Sequence, residues 1–124
     1  MILDSDVIIN FLRKDNEITR KILALQNIEE LSTTSINTFE VLRGLSKFNK
    51  IKEGREFLAN LKILSFNFKA SEKAAEIFEE LRIKGEAIDA LDLMIASIAI
   101  VNNETLMTKN TKHFERMHEL KIEA

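Results

Sequence analysis

The sequence predicts an α/β fold: a small, mostly parallel five-stranded sheet flanked by helices. Three observations lead there. Five short β-type runs recur along the chain, stretches of helical periodicity separate them, and no Asn-Gly or Asp-Gly dipeptide marks a tight hairpin. Strands joined through helices need crossover connections, and crossovers join parallel strands.

The first run is Met1–Leu3, followed by Asp4-Ser5-Asp6 and then by Val7-Ile8-Ile9. This is a strand whose carboxyl end leads into a helix. Ile18, Ile22 and Leu25 then recur at helical spacing before the second run, Leu31–Thr33. Phe39, Leu42 and Leu45 mark the next helix, ahead of the third run, Lys62–Phe66. Ala70, Ala74, Ile77, Phe78 and Leu81 make the clearest amphipathic stripe, with Gly85 placed to end it as a C-cap. Leu93 to Val101 is nine residues interrupted only by Ser97, too short to span a bilayer and suited to a buried helix. Thr105–Thr108 and Leu120–Ile122 complete the strands. Proline is absent, glycine occurs only three times, and no linker or repeat divides the chain, so residues 1–124 read as one domain.

Composition narrows the chemistry. The 124 residues are 45% hydrophobic and 31% charged, proportions of an ordinary globular domain rather than a disordered chain. Cysteine is absent, which excludes disulfides, thiolate metal sites and cysteine nucleophiles, and fits a reducing cytoplasm. With only His113 and His118 present, any metal is held mainly by oxygen, the preference of Mg²⁺, Mn²⁺ or Ca²⁺. No basic-then-apolar leader appears at the N-terminus. The net charge of −2 announces no nucleic-acid binder, but Arg43, Lys47, Lys50, Lys52 and Arg55 cluster against a single acid, Glu53. That cluster is either a solvated helical face or a phosphate-binding flank.

Ligands in open α/β sheets bind beyond the carboxyl ends of the strands. Asp4 stands at such an end, although Asp4 or Ser5 is equally placed to cap the next helix. Asn37 with Glu40, and Asp89 with Asp92, have the spacing of a capping box at a helix start. Capping and metal binding are compatible, because a helix N-terminus favours the ionised carboxylate that a cation requires. We assign Asp89 to capping and Asp92 to metal. Acids gathered without counter-charge repel, and a divalent cation reverses that cost while supplying the means to hydrolyse a phosphoester.

Four segments together resemble the PIN-domain family, in its VapC toxin branch. Met1-Ile-Leu-Asp4-Ser-Asp6-Val-Ile-Ile is similar to the family's opening strand, Asp-Thr-Asn-like turn and helix. Ser35-Ile-Asn-Thr-Phe-Glu40-Val-Leu-Arg-Gly44 resembles its second motif, and Gly85 through Asp92 to Ala99 its third. Thr108-Lys-Asn110-Thr-Lys-His113-Phe114 resembles its fourth. The order, with intervals of 36, 52 and 18 residues between Asp4, Glu40, Asp92 and Asn110, carries more weight than any single motif.

The resemblance implies a three-layer α/β/α domain and an Mg²⁺- or Mn²⁺-dependent endoribonuclease acting through metal-activated water. Asp4, Glu40 and Asp92 match the metal ligands. Asn110 stands where many members have a fourth acid, and an uncharged amide there puts a second metal in doubt. Asp6 is placed to replace that charge by holding a metal-bound water, or to be an exposed acid in a helix's first turn. Ser5 and Thr108 are candidate donors to the carboxylates. Arg13, Lys14, Arg43 and Lys109 are candidate guides for RNA, each otherwise an ordinary solvated base; Asn110-Thr-Lys-His113 is placed to contact phosphate, or His113 is a surface histidine of the last helix, the reading we adopt. The resemblance further implies a structured RNA substrate such as tRNA or ribosomal RNA, a VapB-type antitoxin, a homodimer, a cytoplasmic location and no membrane. Asn110 motivates a rival: a PIN-like module that binds protein or RNA without cutting. A receiver-like signalling domain fits poorly, since Asn67 and Phe68 follow the third strand where an acceptor Asp is needed.

Overall fold

The computed structural model describes all of residues 1–124. Five strands, β1 Ile2–Leu3, β2 Ser32–Thr34, β3 Lys62–Leu64, β4 Thr105–Met107 and β5 Lys121–Glu123, form one sheet in the order β3-β2-β1-β4-β5. Every pairing is parallel, so the sheet is wholly rather than mostly so. Seven helices connect them: α1 Ser5–Leu12, α2 Asn16–Gln26, α3 Ser35–Leu45, α4 Ile51–Ala59, α5 Phe68–Ile83, α6 Ala90–Val101 and α7 Thr111–Phe114. A 3-10 turn, Ser46–Phe48, extends α3. No helix is long and apolar enough to cross a membrane.

A parallel sheet must be covered on both faces, and alternation along β1 and β4 shows how. Ile2 and Leu106 enter one core with Ala74, Ile77, Leu81, Ile95, Ala99 and Phe114, from α5, α6 and α7. Leu3 and Met107 enter the opposite core with Val7, Ile8, Ile18, Ile22, Val41, Leu45 and Leu58, from α1 to α4. The result is the expected α/β/α sandwich.

The chain leaves β1 toward β2 and β3, then returns to the other side of β1 for β4 and β5. The reversal lies between β1 and β4, where an open sheet forms a crevice at its carboxyl edge. The backbone N–H of Asp4 donates to Met107 O at 2.9 Å, so pairing with β4 continues to the residue that ends β1.

Several local expectations change. The cap of α3 is Thr34, whose side chain accepts from Asn37 N, so no Asn37–Glu40 capping box forms and Glu40 falls in the second turn. Thr34 wins because the chain is already turning out of β2 with an extended backbone. Phe39, grouped by periodicity with Leu42 and Leu45, points outward and is 54% exposed, because the buried face of α3 runs through Asn37, Val41 and Leu45. Gly85 ends α5 as expected: its φ is +74°, and the N–H groups of Gly85 and Glu86 donate to Arg82 O and Leu81 O in a Schellman arrangement.

Candidate active site at the β1–β4 crevice

Asp4 is buried and fully hydrogen-bonded. Its Oδ1 accepts from Ser5 N at 2.9 Å and from Asn37 Nδ2 at 2.8 Å, and its Oδ2 accepts from Thr108 Oγ1 at 2.6 Å. Those donors come from α1, α3 and the end of β4, so three distant segments fix one carboxylate. Ser5 joins the next acid to it: Ser5 Oγ donates to Glu40 Oε1 at 2.7 Å and accepts from Asn37 Nδ2 at 2.8 Å. Thr108 Oγ1 also accepts from Asn110 N at 3.0 Å, which holds the turn after β4. Ser5 and Thr108 are thus carboxylate donors, as expected. Asn37 is a third donor that the sequence concealed, since its spacing to Glu40 suggested a cap.

Asp89 caps α6, its Oδ1 accepting from Leu91 N and Asp92 N. Asp92 in the first turn is then free to face the crevice, as the register assignment requires. His113 Nδ1 lies 3.4 Å from Asp92 Oδ2, so this histidine borders the acid centre. A helical surface position after Asn110 gave no signal for that.

The acids crowd one another, and Lys109, Arg43 and His113 offset their repulsion only in part. Burial, then Asp89 and Asp4, push the Asp92 carboxyl up to about 6. Burial, then the Asp4 charge, push Asp6 to about 6 as well. Glu40 is raised too, first by burial and then by Asp4, against the donation from Ser5. Asp6 Oδ2 accepts from Lys109 N at 3.0 Å, while its Oδ1 is buried with no partner, the one such side-chain atom in the protein. Buried polar atoms are rarely left unpaired, and an orphan carboxylate oxygen beside three other acids suits a cation or its hydration shell.

Asp4, Ser5, Asp6, Glu40, Asp92 and Asn110 line one cleft of about 320 Å³, shared with Ile9, Arg43, Gly44 and Lys47. Glu40, Asp92 and Asn110 also line a second cleft of about 410 Å³ with Asp89, His113 and Arg116. The two lobes meet at those three residues, so the centre lies mid-way along a trough. As the side chains lie, no three His, Asp or Glu converge closely enough to hold one ion. The all-oxygen donor set, the raised carboxyls and the orphan oxygen fit a hard divalent cation. Asp4, Glu40 and Asp92 would hold it, with Asp6 and Asn110 at its edge.

The expected RNA guides divide. Arg43 lines the trough, and Lys47, not among them, lines it too. Lys109 approaches through its backbone N–H on Asp6. Arg13 instead stacks on Phe48, 4.8 Å from the ring centroid, and Lys14 borders a separate groove with Phe11, Thr19 and Lys50. Neither belongs to the acid centre.

This geometry matches a known family. The PIN domain model aligns with residues 1–120, from β1 to the residue before β5. The chain belongs to the PIN-domain family. It is 37% identical over 97 residues to Ribonuclease VapC2 of Rickettsia felis, covering 75% of this chain and 72% of that protein. It is 30% identical over 122 residues to Ribonuclease VapC1 of Methanocaldococcus jannaschii, covering 96% and 82%. Among solved structures, VapBC2 from Rickettsia felis bound to a promoter DNA fragment aligns with a TM-score of 0.86 and 30% identity, over 98% of this chain and 96% of that chain. DNA-bound VapBC from Salmonella typhimurium gives 0.85 and 26%, over 98% and 95%. The PIN-domain layout accounts for the delivery of Asp4, Glu40 and Asp92 to one crevice.

Proposed function

We propose that this chain is a divalent-metal-dependent endoribonuclease, the toxin half of a VapBC-type toxin–antitoxin pair. It would hydrolyse a phosphodiester in a structured RNA such as tRNA or ribosomal RNA. The observation that carries this is the buried, triply hydrogen-bonded Asp4 sharing a trough with Asp6, Glu40 and Asp92. Relatives named ribonucleases support it, and the neighbouring toxin–antitoxin complexes support a VapB-type antitoxin as partner. A trough open on both sides of the acids suits cutting within a strand. RNA as substrate goes with a cytoplasmic location, and a homodimer is the assembly we expect.

The reaction adds water to phosphorus and breaks one P–O bond, with no covalent enzyme intermediate. Ser5, the hydroxyl side chain that lines the acid cleft, is engaged by Glu40 and Asn37 and is not free to attack. A bound Mg²⁺ or Mn²⁺ would polarise the phosphate and lower the pKa of the attacking water. Asn37, Thr108 and the Ser5 N–H hold Asp4 in one orientation, and Ser5 holds Glu40 beside it. Arg43 and Lys47 draw the phosphate chain toward an otherwise repulsive centre. Asp6 supplies the charge that Asn110 lacks, so a non-cutting binding module is the weaker reading.

The test is growth arrest on expression, together with RNA cleavage by purified protein in Mg²⁺, Mn²⁺ or chelator. Asp4→Asn and Asp92→Asn should each abolish arrest and slow cleavage by at least about a hundredfold, the scale of losing a catalytic electrostatic group. Full toxicity in both variants would refute the assignment.

A further inference from the structure

The two trough cations Arg43 and Lys47 continue, away from the acids, a pattern that includes an aromatic ring. Phe39, Arg43 and Lys47 succeed one another at i, i+4 and i+8 along α3 and its 3-10 extension, and all three are exposed. Residues four apart lie on one helix face, about 6 Å further along the axis each time. Arg43 and Lys47 line the trough beside Glu40 and Gly44. Neither takes part in a salt bridge, so both cations are available to an anion. The Arg43 guanidinium lies over the Phe39 ring, 5.1 Å from its centroid. Phe39 is 54% exposed while Val41 and Leu45 of the same helix are fully buried, so the ring adds nothing to the core.

We propose that Phe39, Arg43 and Lys47 form a subsite for an unpaired stretch of RNA flanking the cut, Phe39 stacking a base while Arg43 and Lys47 hold phosphates. This rests on the ribonuclease reading above and adds a substrate requirement to it. An exposed aromatic interleaved with cations is the arrangement that binds single strands, because every base offers a π-face and each nucleotide a charge. A base inside a duplex is stacked on both faces and cannot reach the ring, so the flanking nucleotide must be splayed out, as in a loop.

The chain contains no tryptophan or tyrosine, so Phe39→Trp introduces a single fluorophore at the subsite. The experiment compares wild type, Phe39→Ala and Phe39→Trp on an unstructured oligoribonucleotide and on a duplex of the same sequence, with Mg²⁺ present. Phe39→Ala should raise KM about tenfold on the unpaired RNA, the ordinary cost of one lost base stack, with kcat and melting temperature essentially unchanged. Phe39→Trp should restore KM, and stopped-flow mixing should show its emission quenched by the single strand but not by the duplex. Arg43→Gln and Lys47→Gln should each reduce the salt dependence of KM by about one unit of log–log slope. An unchanged KM in Phe39→Ala overturns the proposal while leaving the ribonuclease reading intact. Equal quenching by duplex also overturns it. So does conversion of a dimer to a monomer by Phe39→Ala without a change in KM, which would assign the ring to a second copy. If wild type cuts no RNA, the parent reading falls and this one with it.

Discussion

Removing one acid of the proposed metal site should make the protein more stable in chelator. In Asp92 the carboxyl is raised from 3.8 to about 6 by burial and by Asp89 and Asp4. A folded-state pKa above the unfolded one means that the native state holds the proton more tightly, so stability falls as pH rises between those values. Two units would correspond to about 3 kcal/mol at pH 7. Asp92 keeps 21% side-chain exposure, so solvent screening lowers that to about 2 kcal/mol. Against it, Asp92→Asn loses a favourable charge in the first turn of α6, about 1 kcal/mol; the pull of His113 is already contained in the net rise to about 6. The Asp89 cap survives, because it is made to the backbone N–H of residue 92. A net gain of about 1 kcal/mol should raise the melting temperature by a few degrees at pH 7 in chelator. The gain should vanish near pH 4, where residue 92 is neutral in both proteins. Circular-dichroism melts from pH 4 to pH 8 measure this. Added Mn²⁺ should reverse the ranking by stabilising wild type more. A variant that melts well below wild type in chelator at pH 7 would show Asp92 to be a stabilising cap and refute the repulsion argument.

Asn37→Ala should cost about 2–4 kcal/mol in thermal or urea unfolding, because it removes a fully buried amide and a donor to Asp4. It should also slow cleavage by loosening Asp4. Gly54→Ala should destabilise by about 1 kcal/mol despite better helix propensity, because its Cβ would fall inside the contact distance of Leu45, which is fully buried; equilibrium unfolding reads the difference. Thr108→Val should weaken cleavage at least tenfold with little effect on expression, since it withdraws the 2.6 Å hydrogen bond to Asp4 but keeps the volume. Asn110→Asp should tighten Mn²⁺ binding in calorimetry, by adding charge at the edge shared by both lobes of the trough.

The fold was legible because its signals are local. Short apolar runs separated by helical stripes and a glycine stop at residue 85 locate every strand to within two residues at each end. The acids were legible through their order along the chain. What sequence hid depends on packing. Asn37 and Glu40 mimic a capping box, but the side chain of Thr34 reaches the helix start first, and Asn37 is left to point at Asp4. Phe39 can be grouped with Leu42 and Leu45 on an apolar period, yet the buried face runs through Asn37 and Val41, each two residues from Phe39 and so on the far side of the helix, which a few apolar positions in 11 residues do not resolve. Arg13, Lys14 and Lys47 are bases of similar surroundings in sequence, and only Lys47 lies along the axis of α3 toward the trough. His113 reaches Asp92 only because α6 and α7 pack together.

The proposed reaction requires Asp4, Glu40 and Asp92 to close on one divalent ion. Calorimetric titration of the purified protein with Mn²⁺ at pH 7.5 tests it most directly. Saturable binding to wild type, weakened at least tenfold in Glu40→Gln and Asp92→Asn, is the expected result. Absence of binding at millimolar Mn²⁺, or equal affinity in all three proteins, would contradict it.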